Sequence, residues 1–157
     1  MKSLSLSALP RSTLARAATA ALCAAASLAW AQPDALKAAA AAKGAVVSES
    51  GLVYLVLKEG QGPSPAASDT VKVHYRGTLT DGKEFDSSIA RGQPASFPLD
   101  RVIKCWTEGV QKMKVGGKSR LTCPAAIAYG ERGTPGGPIP PNAVLQFEIE
   151  LLGITKP

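Results

Sequence analysis

The sequence predicts a two-layer α+β domain in which four or five antiparallel strands close over one short amphipathic helix. Three observations carry that reading. Thr70 to Thr80 and Val144 to Leu152 alternate apolar and polar residues with a period of two. Residues 101–113 alone carry an apolar stripe of helical period. Asp81-Gly82 stands between two strand-like runs, where a tight hairpin wants it. A sheet with one apolar face buries it against another element, and the 101–113 stripe is the partner on offer.

The elements follow in order. Residues 1–31 read as a secretory leader: Lys2, Arg11 and Arg16 precede an apolar run from Ala17 to Ala29, and Ala29-Trp30-Ala31 fits the small-x-small cleavage rule. That run is shorter than the roughly 20 residues of a membrane span, so cleavage after Ala31 is expected, not an anchor. Cys23 lies inside it, and Leu22 is too large for a lipid-attachment site; the cysteine is lost with the leader. Residues 32–47 are Ala-rich with almost no large apolar side chain, and are expected to be a frayed spacer before a domain spanning 48–157.

Within that domain Leu52 to Lys58 is an aliphatic strand closed by Glu59-Gly60-Gln61-Gly62-Pro63. In Thr70–Thr80, Val71, Val73 and Tyr75 face one way and Lys72, His74 and Arg76 the other, which makes His74 a solvated residue. Lys83 to Asp86 returns from the hairpin. In Lys118–Cys123, Leu121 and Cys123 oppose Lys118, Arg120 and Thr122; in Val144–Leu152, Leu145, Phe147, Ile149 and Leu151 oppose Gln146, Glu148 and Glu150. The helical stripe is Ile103, Trp106, Val110 and Met113, with Asp100 a candidate cap and Gly116-Gly117 a stop.

Composition narrows the chemistry. The 157 residues carry 18 Lys plus Arg against 12 Asp plus Glu, a net charge of +6, but three of the bases lie in the acid-free leader. The balance of +3 from residue 32 onward is ordinary, and the cluster Lys112, Lys114, Lys118 and Arg120 reads as a solvated face, not a nucleic-acid surface. With Cys23 lost in the leader, two Cys and one His do not fill a four-ligand zinc site without a carboxylate, nor does one His promise a histidine-based triad. No metal or cofactor is expected. Seven of the eight aromatics lie between Tyr54 and Phe147. Taken singly each is core, but Asp86 follows Phe85 directly, and Ile139 stands alone among the prolines and glycines of Gly130–Asn142, better placed as a pocket wall than as core.

These residues also carry a resemblance. Val73 to Ser88 (VHYRGTLTDGKEFDSS), Val102 to Pro124 (VIKCWTEGVQKMKVGGKSRLTCP), Ala128-Tyr129-Gly130 and Pro138 to Leu152 (PIPPNAVLQFEIELL) resemble FKBP-type peptidyl-prolyl cis-trans isomerases, in order and in spacing, from about Gly51 to the C-terminus. The exported setting resembles the bacterial branch that includes the macrophage infectivity potentiators, without their long N-terminal dimerisation helices, so a monomer is expected. The resemblance implies a half-open antiparallel sheet wrapped around the helix, and an apolar cleft for a prolyl side chain. Trp106 would be its floor; Tyr75, Phe85 and Phe147 would be walls; Tyr129 would donate to a substrate carbonyl. Asp86 would join them in catalysis, with Phe97, Val102, Ile103 and Ile139 binding substrate. Read from its residues alone, Asp86 serves equally as a turn residue capping Ser87-Ser88. The chain departs from the family at the rim, with Ala95 where an aromatic is common, Thr134 where many members have His, and a stretch from Leu99 to Val102 about two residues short.

The implied activity is isomerisation of X-Pro bonds in exported polypeptides during folding, with macrolides as expected inhibitors. It takes place in the periplasm or outside the cell, with no nucleic-acid partner and no membrane insertion after cleavage. A peptide-binding module or holdase chaperone using the same cleft is the alternative, although a pure binder need not keep Tyr75, Phe85, Asp86, Trp106 and Tyr129 together. Cys105 and Cys123 would both meet an oxidising compartment. Either they are two separately buried thiols, or a bridge ties the helix to the next strand across about 18 residues; the bridge is the favoured reading.

Overall fold

In chain order the elements are α1 (Ser27–Ala40), β1 (Val46–Val47), β2 (Val53–Lys58), β3 (Thr70–Leu79), β4 (Glu84–Ser87), α2 (Ser88–Arg91), β5 (Ala95–Pro98), α3 (Lys104–Gln111), β6 (Lys118–Cys123) and β7 (Leu145–Thr155). They are those of a computed structural model that describes residues 27–157, and side chains from Asp34 onward. The leader expected over residues 1–31, Cys23 included, lies outside the described residues as far as position 26; Ser27–Ala31 open α1.

The strands make one antiparallel sheet in the order β1-β2-β6-β7-β3-β4, with β5 pairing the first half of β3. The sheet does not close on itself. It curls around α3, and the α+β fold expected from the patterning is the one observed. The alternation in β3 and β7 explains the central ladder. Val71, Val73 and Tyr75 pair with Ile154, Leu151 and Ile149, and all of these but the half-buried Ile154 are at most 4% exposed. Trp106, Val110 and Met113 of the helical stripe are buried over this face, and Ile103 is half-buried beside them.

The structure corrects five local expectations. The helix does not run over 101–113. Leu99–Arg101 form a separate 3-10 turn and α3 starts at Lys104, capped by no side chain, so Asp100 has no capping role. What interrupts the helix is Leu99, which is fully buried and fixed by both backbone groups: its N–H donates to Asp69 O at 3.0 Å, and its carbonyl accepts from Thr107 Oγ1 at 2.6 Å. The Ala-rich stretch is not frayed. It is helical to Ala40 and lies against β2 and β6. The high helix propensity of Ala is here supported by a surface to lie on. That surface also explains Thr122, expected to face solvent: it and its cross-strand neighbour Val53 are buried, and α1 packs against the strands that carry them. The sheet takes in Val46–Val47, two residues ahead of Ser48. Lastly, His74 is half-buried, with Nδ1 3.1 Å from Ser88 Oγ, because α2 folds back beside β3.

Cys105 and Cys123 are bonded, with Cα atoms 5.8 Å apart, joining α3 to β6 as the favoured reading had it.

Candidate active site

Between α3 and the sheet lies an open cavity of about 490 Å³. Its floor is Trp106, which is 5% exposed and sits at the start of α3 where the stripe turns toward the sheet. Three rings stand against it edge-on. The centroids of Tyr75, Phe147 and Phe97 lie 5.2, 5.4 and 5.5 Å from that of Trp106, with interplanar angles of 81°, 90° and 85°. Phe85 in turn packs edge-on against Phe147 at 5.5 Å. Each such pair adds about 0.5–1.5 kcal/mol beyond its buried area, so the rings fix one another around Trp106. Gly77, opposite on β3, makes room for this: a Cβ there would fall 2.7 Å from Phe85 Cε2 and 3.0 Å from Phe147 Cε1. Val102, Ile103 and Tyr129 complete the apolar lining, and Tyr129 is 41% exposed at the mouth.

Two charged residues line the cavity, Asp86 and Arg101. Asp86 is held from two sides. Tyr75 Oη donates to its Oδ2 at 2.5 Å, and Arg91 pairs with its Oδ1. Arg91 also donates to Tyr75 Oη at 3.0 Å and lies over the Tyr75 ring, 5.7 Å from its centroid. The sequence builds this locally. Ser87, not Asp86, caps α2, its Oγ accepting from the Ala90 N–H, and Gly92 ends that helix at φ 73°. One turn thereby carries Arg91 back over Asp86. Buried Ser88 locks the arrangement to β3, its Oγ accepting from the Tyr75 N–H at 2.8 Å.

The electrostatics follow. Burial raises the Asp86 pKa, but the hydrogen bonds from Tyr75 and Arg91 outweigh it and hold the carboxyl below its ordinary range. Burial first, and the Asp86 carboxylate second, push the Tyr75 phenol above its usual value, so Tyr75 stays a donor at neutral pH. The Trp106 Nε1–H is buried without a hydrogen-bond partner among the described residues.

Of the residues named from the sequence, the structure brings Tyr75, Phe85, Asp86, Phe97, Val102, Ile103, Trp106, Tyr129 and Phe147 to one cavity. Ile139, expected as a pocket wall and not as core, is 5% exposed and belongs to the core cluster, as Trp106 and Phe147 also do. Thr134 N–H donates to Ile139 O and Thr134 Oγ1 accepts from Ile139 N–H, so the proline loop closes on itself and turns Ile139 inward. Two residues escaped the sequence reading. Arg91 was signalled only by the Ser cap and the glycine around a four-residue helix, and Arg101 only by its place beside Val102.

An aromatic box with a polar clamp at one rim thus lies between a half-open antiparallel sheet and α3. Residues 62–152 match the family described as FKBP-type peptidyl-prolyl cis-trans isomerase, and the chain belongs to that family. It is 57% identical over 122 residues to the FKBP-type peptidyl-prolyl cis-trans isomerase FkpA of Aeromonas hydrophila, covering 78% of this chain and 45% of that protein. It is 53% identical over 107 residues to the FKBP-type 22 kDa isomerase of Escherichia coli, covering 68% and 52%. The crystal structure of FkpA from Escherichia coli superposes with a TM-score of 0.79 at 48% identity, covering 84% of this chain and 61% of that one. A peptidyl-prolyl cis-trans isomerase from Pseudomonas syringae gives 0.75 at 39% identity, covering 81% and 92%. The chain thus spans about half the length of the curated relatives it matches. No helix among the described residues is long and apolar enough to cross a membrane.

Proposed function

We propose that this chain accelerates X-Pro isomerisation in exported polypeptides by seating the prolyl ring on Trp106. The observation that carries the reading is the edge-on set of Tyr75, Phe97 and Phe147 around Trp106, all four of which line the cavity. Rotation about a peptide bond costs about 18–20 kcal/mol because the twisted bond loses its resonance. No bond is broken, so no nucleophile or general base is required. The twisted imide has less charge separation than the planar one, and an aromatic cleft therefore favours it over the ground state. Tyr129 holds a flanking carbonyl, and Asp86 holds a flanking amide while Tyr75 and Arg91 keep its carboxylate ionised and fixed.

The compartment belongs to the same reading. A basic, then apolar, leader with a small-x-small site supports export to the periplasm or beyond, and the Cys105–Cys123 bridge suits an oxidising setting. A working monomer is part of the same proposal. Macrolide ligands are expected to compete for the cleft.

The test is the slow, proline-limited refolding of a model protein with catalytic amounts of the chain. Acceleration that a macrolide abolishes is expected, with Trp106→Leu and Asp86→Asn each lowering kcat/KM at least tenfold. Suppressed aggregation without acceleration would make the cleft a holdase site and overturn the isomerase reading.

A further inference from the structure

The two charged residues of the cavity are not equivalent. The Asp86 carboxylate has its charge met by Arg91 and accepts a hydrogen bond from Tyr75. Arg101 is exposed at the mouth, and no carboxylate lies within ion-pair distance of its guanidinium among the described residues, its sequence neighbour Asp100 included. Its backbone is nevertheless well fixed. Leu99, two residues earlier in the same 3-10 turn, is bonded through its N–H to Asp69 and through its carbonyl to Thr107. Lys104, also exposed, follows at the first position of α3. The mouth therefore presents an uncompensated positive charge on a rigid turn, beside the floor on which the proline rests.

From this we infer that Arg101 sets substrate choice, favouring prolyl segments with a carboxylate side chain next to the proline and disfavouring those with a basic one. The inference rests on the isomerase reading of the cavity and deepens it. A single exposed charge about 6 Å from its partner in water discriminates between Glu and Lys by on the order of tenfold once attraction and repulsion are both counted. Such an effect largely disappears at 1 M salt, where the screening length is about 3 Å.

The experiment uses the full chain and two peptide series, with Glu, Leu or Lys immediately before or immediately after the proline. Both kcat/KM and binding, by anisotropy of labelled peptides, are measured in about 20 mM and 1 M sodium chloride. At low salt the Glu:Lys ratio is expected to be on the order of tenfold in at least one series. It should fall below about twofold at high salt and invert in Arg101→Glu. Equal ratios in both series, or a preference that Arg101→Glu leaves unchanged, overturn the assignment. Turnover of the Leu peptides tests the isomerase reading separately. Should they bind without turnover, the anisotropy ratios still decide the role of Arg101.

Discussion

Gly109→Ala sets two effects of known sign against each other. Gly109 lies within α3 (Lys104–Gln111) and is buried. On propensity alone, alanine there should stabilise the helix by about 0.8–1.0 kcal/mol. The packing says otherwise. A Cβ on residue 109 would fall 2.7 and 2.8 Å from the two Cδ atoms of Leu121 and 3.3 Å from its Cγ, whereas carbon atoms in good contact sit about 3.5–4.0 Å apart. Leu121 is fully buried on β6 between its cross-strand partners Tyr54 and Phe147, so turning it away drives it into the strand that carries a cavity wall. Nor is α3 free to lift, because Cys105 ties it to Cys123, two residues beyond Leu121. Overpacking of this kind costs about 1–3 kcal/mol and should exceed the helix gain, leaving a net loss of about 1 kcal/mol or more. Urea unfolding should show a lower midpoint with an unchanged slope. A variant as stable as the parent, or more so, would refute the argument and mean that Leu121 finds another rotamer at no cost.

Two further predictions follow from named contacts. Reducing the Cys105–Cys123 bond, which closes a separation of 18 residues, should cost about 3 kcal/mol in the loop-entropy model; guanidinium midpoints with and without reductant, and with Cys105→Ala/Cys123→Ala, check it. Acid should destabilise the fold by a mechanism whose sign is fixed. Asp69 is held below the usual range by the Ala66 N–H and then Lys156, Glu148 by Arg120, and Asp86 by Tyr75 and Arg91 against the opposing effect of burial. Depressed carboxyls bind fewer protons folded than unfolded, so their contribution is complete above about pH 4–5 and is lost as pH falls through the lower folded values. Unfolding midpoints flat from pH 7 to 5 and falling below pH 4, less steeply in Asp69→Asn, are the expected result.

The strands were legible because burial repeats in the sequence. Val71, Val73 and Tyr75, or Leu145 to Leu151, write one face into every second position, and the structure buries those residues as written. The aromatic floor and walls were legible for the same reason, with the family resemblance supplying their purpose. What the sequence hid were arrangements set by backbone bonds between distant residues. Leu99 ends up in a 3-10 turn because Asp69 and Thr107, thirty residues back and eight ahead, take its polar groups. Ile139 turns inward because Thr134 closes the loop around it. The helix over Ala-rich residues needed a surface, and Val53 and Thr122 show it only once β2 and β6 are paired. Arg91 reaches Asp86 through four residues of helix, too short a run for periodicity to register.

The two arginines at the cavity divide binding from choice. A carboxylate bordering an apolar cleft would draw water or take up a proton unless its charge were met; Arg91 and Tyr75 meet that of Asp86, and Arg91 does so while half exposed, so the cleft keeps an ionised acceptor in fixed geometry. That arrangement is the same for every proline-containing segment. Arg101 sits on a turn fixed through Leu99, and no carboxylate among the described residues is paired to it, so its effect depends on what the substrate brings. Replacing Arg91 should therefore lower turnover of all peptides alike, because Asp86 loses its partner, whereas replacing Arg101 should redistribute turnover among them. Arg91→Lys, which keeps the charge but not the two-pronged reach to Asp86 and Tyr75, should restore only part of the lost rate and leave the order of peptide preference as it was. A reordering of preferences in that variant would mean that the two arginines act on substrate together, and the division between them would fail.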